Sequence, residues 1–74
     1  MFAVQLKIIG DNILLYRRQK GYTQEELAQR VGISTSYLGQ IERGNKGKSY
    51  AMETLHSIAE ALGVPMEELL KKRI

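Results

Sequence analysis

Three residues, Gly32-Ile33-Ser34, are all that separate two short segments in which apolar side chains recur at helical spacing. The first segment opens on Thr23-Gln24-Glu25-Glu26. This is a capping box, in which the Thr23 hydroxyl accepts from the Glu26 amide and the Glu26 carboxylate reaches back to the Thr23 amide. The segment buries Leu27, Ala28 and Val31 and ends at Gly32 after about two turns. The second opens on Ser34, a good N-cap, carries Leu38 and Ile41 on its buried stripe and stops at Gly44. An isolated helix in water needs roughly 12–15 residues to persist, so neither segment stands alone. Joined this tightly they must pack on each other across a sharp turn. Gly32 makes that turn in the left-handed region, and Ile33 dips between the two helices.

The remaining elements are read around that pair. Ile9, Ile13 and Tyr16 recur at i, i+4, i+7 and predict a helix from Ile9 to Lys20, with Arg17, Arg18 and Lys20 at its negative dipole end before Gly21. Phe2, Val4, Leu6 and Ile8 alternate as in a strand and equally well extend that helix backwards, so residues 1–8 stand as an N-terminal extension of open form. A polar loop, Asn45-Lys46-Gly47-Lys48, leads through Ser49 to a fourth helix from about Tyr50 to Leu62, with Met52, Leu55, Ala59 and Leu62 on one face. Gly63 ends it. Pro65 suits the first turn of a short fifth helix whose apolar side is Met66, Leu69 and Leu70. The expectation is an all-α fold of five helices in a single domain over residues 1–74, closed by a basic tail at 71–74.

Composition removes most function classes. A chain of 74 residues holds one domain and leaves no room for a separate sensor or catalytic module. There is no cysteine, hence no disulfide and no thiolate metal site. The apolar run Ile13–Tyr16 is far short of the roughly 20 residues that span a membrane. Residues 1–9 lack the basic lead and small-residue cleavage site of a signal peptide, so a cytoplasmic, nucleoid-associated location is expected. His56 is the sole histidine and reads as solvent-facing, without a second ligand at metal spacing. Asp11, Ser34 and His56 form no triad, and no nucleophile elbow or phosphate-cradling loop occurs. No metal, cofactor or catalytic activity is expected.

Charge points the other way. The net charge is +3 with a pI near 9.4, which permits a nucleic-acid partner. Residues 43–50 carry Arg43, Lys46 and Lys48 with no acid, whereas residues 51–70 carry Glu53, Glu60, Glu67 and Glu68 with no lysine or arginine.

Two helices joined this way, over about residues 24–43, form a helix-turn-helix, in which the second helix enters the DNA major groove and its first residues reach base edges. With Ile33, Leu38 and Ile41 assigned to the core, Thr35, Ser36, Tyr37, Gly39, Gln40 and Arg43 remain to face outward. Thr35, Ser36 and Gln40 share one side of the helix near its start. Gln pairs bidentately with adenine, and Ser or Thr hydroxyls bond base edges or touch a thymine methyl.

The combination resembles the lambda-repressor-like, XRE-type family of bacterial and phage regulators over residues 9–70. The resemblance rests on Ile9-Gly10, Ile13, Arg17, Gly21-Tyr22-Thr23-Gln24-Glu25-Glu26-Leu27-Ala28, Val31-Gly32-Ile33-Ser34, Tyr37-Leu38, Ile41-Glu42-Arg43-Gly44, Leu55 and Ala59 to Gly63. It implies base contacts from Thr35, Ser36 and Gln40 on a recognition helix spanning 35–43. It implies backbone contacts from Gln24, Tyr37, Arg43, Asn45, Lys46 and Lys48, and a structural ion pair between Arg17 and Glu42. Two features depart from the family pattern. Gly39 sits inside the recognition helix, either forfeiting a DNA-facing side chain or allowing a close backbone approach. The loop from Asn45 to Tyr50 is about two residues longer than the commonest form and lacks its proline.

The function expected is a sequence-specific, double-stranded DNA-binding transcriptional regulator, acting as a repressor. A homodimer on a two-fold or direct-repeat operator is expected, because one such motif reads few base pairs. Candidate dimer surfaces are Phe2, Val4 and Leu6 at the N-terminus and Met66, Leu69 and Leu70 on the fifth helix. No small-molecule effector is evident. The alternatives are a restriction–modification controller or an antitoxin of the same fold, then a protein-interaction module without DNA binding.

Overall fold

The computed structural model describes residues 2–44 and 52–72, with side chains from Gln5 onward. Among these residues the regular elements are all helices: α1 (Phe2–Lys20), α2 (Gln24–Val31), α3 (Thr35–Glu42), α4 (Met52–Leu62) and α5 (Met66–Leu70). Residues 2–8 thus join the first helix rather than forming a strand. Leu6, Ile9 and Ile13 explain why, because they continue one apolar stripe at i, i+3, i+7, and all three are buried.

Helix ends follow the local chemistry. α1 closes with the Tyr22 N–H donating to the Arg17 carbonyl at 3.1 Å and the Gly21 N–H to Arg18 at 3.0 Å, a Schellman motif. Thr23 and Glu26 complete the capping box of α2, at 3.0 Å and 2.8 Å. Ser34 Oγ accepts from the Tyr37 amide at 3.0 Å to open α3. Between these caps Gly32 has φ 84°, a value that non-glycine residues rarely adopt, and this lets α3 follow α2 with only three residues between them. Pro65 is the N-cap of α5, one position before the first turn that suited it, with extended ψ. It fixes φ while leaving no amide to satisfy.

Each helix sends at least one fully buried side chain to a common core: Ile13, Leu27, Leu38, Ile58, Leu62 and Leu69. Burial of such a side chain stabilises the fold by about 1.5–3 kcal/mol. Along α4 the buried positions are Leu55, Ile58, Ala59 and Leu62, the i, i+3, i+4, i+7 pattern. Met52, expected on this face, is 70% exposed, and Ile58 takes the central place. The expected helix start at Tyr50 lies outside the described residues.

Two polar side chains are buried with the core, Asn12 and Glu42. Asn12 lies on α1, and its Nδ2 donates to the carbonyls of Leu69 at 2.9 Å and Lys71 at 2.7 Å. Those carbonyls end a helix of five residues that has no following turn to satisfy them. Tyr16 Oη donates to Glu68 Oε1 at 2.8 Å one turn along, so α1 holds α5 at two points. This packing corrects the proposed dimer surface. Leu6 and Leu69 are 5% and 0% exposed, committed to this chain's own core. Leu70 remains exposed and Met66 is half-buried.

Candidate nucleic-acid interface

The site is built around one buried carboxylate. Glu42, at the last turn of α3, accepts from Arg17 through Nε–Oε2 at 2.7 Å and Nη2–Oε1 at 3.2 Å. Arg17 Nη1 donates to the Tyr22 carbonyl at 2.9 Å, so both ends of the guanidinium are engaged. The two side chains are 11% and 4% exposed. Buried charge is tolerated when its lone pairs and protons are matched in this way. Glu42 Oε1 accepts a third bond, from Gln24 Nε2 at 2.9 Å. One carboxylate therefore ties α1, the start of α2 and the end of α3 together.

Gly10 makes that arrangement possible. A Cβ built there would stand 2.5 Å from the Ile41 carbonyl oxygen and 2.6 Å from that of Glu42. Only glycine lets α1 and the end of α3 approach to that distance.

With α2 and α3 fixed, the outer side of α3 is presented to solvent. Thr35, Ser36 and Arg43 are exposed, Gln40 is half-buried, and Tyr37 is half-buried against the core. Ser36, Gln40 and Arg43 fall at i, i+4, i+7 and form one outward stripe, with Thr35 beside its start. Gly39 lies on this side of α3 but is buried, covered by the side chains of Arg43 and Gln24. Asn45, Lys46 and Lys48 lie outside the described residues. No group of three or more His, Cys, Asp or Glu that could hold a metal occurs among the described residues. His56 is exposed, 3.8 Å from Glu60 on the same helix and away from this face.

Three contributions were not visible in the chain alone: the Gln24–Glu42 bond, the Arg17 bond to the Tyr22 carbonyl, and the close approach at Gly10. The Gly10 signal was present as a glycine inside a helical stripe, a spacing that marks a crowded helix face.

A helix-turn-helix family model matches residues 13–69, from the middle of α1 to α5. The chain belongs to the XRE-type helix-turn-helix family. Among family relatives, it is 44% identical over 64 residues to the HTH-type transcriptional regulator y4dJ of Sinorhizobium fredii, covering 86% of this chain and 80% of that one. The fold matches the restriction–modification controller protein C.AhdI of Aeromonas hydrophila with a TM-score of 0.81 and 32% identity, over 89% of this chain and 97% of the controller. It also matches SinR, a master regulator for biofilm formation solved in complex with DNA. There the TM-score is 0.76 and the identity 38%, over 85% of this chain and 98% of that one. No helix of this XRE-type chain is long and apolar enough to cross a membrane among the described residues.

Proposed function

We propose that this chain is a sequence-specific, double-stranded DNA-binding transcriptional regulator, a repressor that works as a dimer. The observation that carries the reading is the Glu42 junction. It fixes α2 against α3 so that Thr35, Ser36 and Gln40 stand together on the solvent side of the second helix of the pair. In this geometry the start of α3 enters the major groove, Gln40 reads an adenine edge, and Thr35 and Ser36 read neighbouring positions. Gln24, at the first position of α2, and Tyr37, Arg43, Asn45, Lys46 and Lys48 grip the backbone on either side. Such contacts set register and affinity, whereas the groove contacts set sequence. The solved SinR–DNA complex supports a duplex as the partner of this fold.

Dimerisation follows from the short reach of one recognition helix. Of the apolar residues considered for it, Leu70 is exposed, and with Gln5, Ile8 and Ile9 it lines a shallow cleft. Sedimentation of a monomer at operator-saturating concentration would defeat the dimer.

Selection of bound duplexes from a random pool tests binding, site and symmetry together. The expected outcome is a short motif repeated about one helical turn apart. A pool that never enriches overturns the reading. The C.AhdI match covers nearly all of that controller and favours a second reading, control of a restriction–modification system. A selected site upstream of an adjacent methylase or endonuclease gene decides for it.

A further inference from the structure

Gly39 occupies the middle of α3, where glycine is the poorest helix former after proline. The backbone does not require it, since its φ is not among the positive values, which occur at Gly21, Gly32, Gly44 and Gly63. The core does not require it either. At Gly10 and Gly44 an added Cβ would strike backbone atoms closer than 3 Å. At Gly39 the nearest heavy atoms are Arg43 Nη1 at 3.2 Å, Gln24 Nε2 at 3.8 Å and Arg43 Cζ at 3.9 Å. These are the far ends of two flexible side chains. Arg43, at the C-cap of α3, folds back one turn and lays its guanidinium over Gly39 beside the Gln24 amide.

Two donors therefore converge on one point of the outward face. Gln24 Nε2 is anchored there by Glu42 Oε1 at 2.9 Å. Arg43 is exposed and forms no ion pair with a carboxylate among the described residues. An arginine beside an amide donor matches the oxygens of a phosphodiester.

We propose that Gly39 is a positioning residue: its missing side chain seats the Arg43 guanidinium against Gln24, so that both grip the same DNA phosphate. A Cβ at residue 39 would stand 3.2 Å from Arg43 Nη1, so the guanidinium would have to shift by a few tenths of an ångström from its place beside Gln24. The proposal rests on the reading of the α2–α3 face as the DNA-binding surface.

The test compares wild type, Gly39→Ala, Arg43→Ala and the double variant on the duplex recovered by random-pool selection, over a range of salt concentrations. Gly39→Ala is expected to melt at or above the wild-type temperature, because alanine is the better helix former. It is nevertheless expected to bind about five- to tenfold more weakly, as for a partly exposed charge-assisted bond. The slope of log affinity against log salt should be shallower by about one. Arg43→Ala should show the same loss and slope, and the double variant no more than either single change. Wild-type affinity and slope in Gly39→Ala, no effect of Arg43→Ala, or additive losses would each overturn the proposal while leaving the DNA-binding reading standing. A lowered melting temperature in Gly39→Ala would assign the glycine to packing and overturn it as well. Failure of the wild-type chain to recover any duplex would remove both readings.

Discussion

Gly10 of α1 and Glu42 of α3 lie so close that a Cβ on the glycine would stand 2.6 Å from the Glu42 carbonyl oxygen. The neighbours are backbone, and they cannot swing aside. Gly10→Ala gains about 1 kcal/mol of helix propensity but forces the two helices apart, an overpacking cost of about 1–3 kcal/mol or more. A scaffold under about 80 residues has roughly 3–5 kcal/mol to lose. The variant is expected to melt well below wild type by circular dichroism, and an unchanged melting curve would contradict the close approach.

The Arg17–Glu42 pair separates stability from positioning. Glu42→Gln leaves the buried Arg17 guanidinium without its anion, at a cost of about 3–5 kcal/mol. That is about the whole stability margin of a scaffold this small. Replacing both partners, as Arg17→Met with Glu42→Leu, should recover much of the stability, because an apolar pair of similar volume removes the unpaired charge. DNA affinity should stay low in the double variant, since Gln24 has lost its acceptor. Recovery of full affinity with the fold would show that Gln24 needs no anchor.

Asn12 is buried away from solvent and is expected to act on stability alone. Asn12→Ala leaves the Leu69 and Lys71 carbonyls without the amide that caps them, a loss of about 1–3 kcal/mol. Urea titration should show the midpoint shifted downward. Affinity for the selected duplex, measured where the variant is still folded, should match wild type.

Base and backbone contacts are told apart by salt. Gln40→Ala should cost about 1–3 kcal/mol on the selected duplex and relax the preference at one position, with the salt slope unchanged. Lys46→Ala should weaken binding to all sequences alike and reduce the slope by about one. Untouched specificity in Gln40→Ala would remove that residue from the groove.

The helices were legible where local chemistry decides them. The Thr23–Glu26 box, the Ser34 cap and the glycine turn each act within a few residues, so their signals sit side by side in the chain. The face of α4 is legible only in part: Met52 fits the apolar period as well as Ile58 does, and only packing in the core separates them. Leu6 and Leu69 look available for a partner in the sequence, because an apolar residue near either end looks spare until its neighbours are known, yet both are buried. A stripe count places Gly39 on the outer side of α3 but cannot see Arg43 folding back to cover it. The Arg17–Glu42 pair spans 25 positions, and only the family pattern suggested it.

The capture of α5 by α1 has a bearing on the order in which the molecule comes into being. Asn12 is synthesised before the carbonyls it caps, which lie 57 and 59 residues later. Leu69, with no exposed surface, seats in the core at the same step. A growing chain that has not reached Leu69 lacks a side chain that is fully buried in the finished core. Closure waits on that late segment, and any fragment cut ahead of it is offered to proteases in an open form.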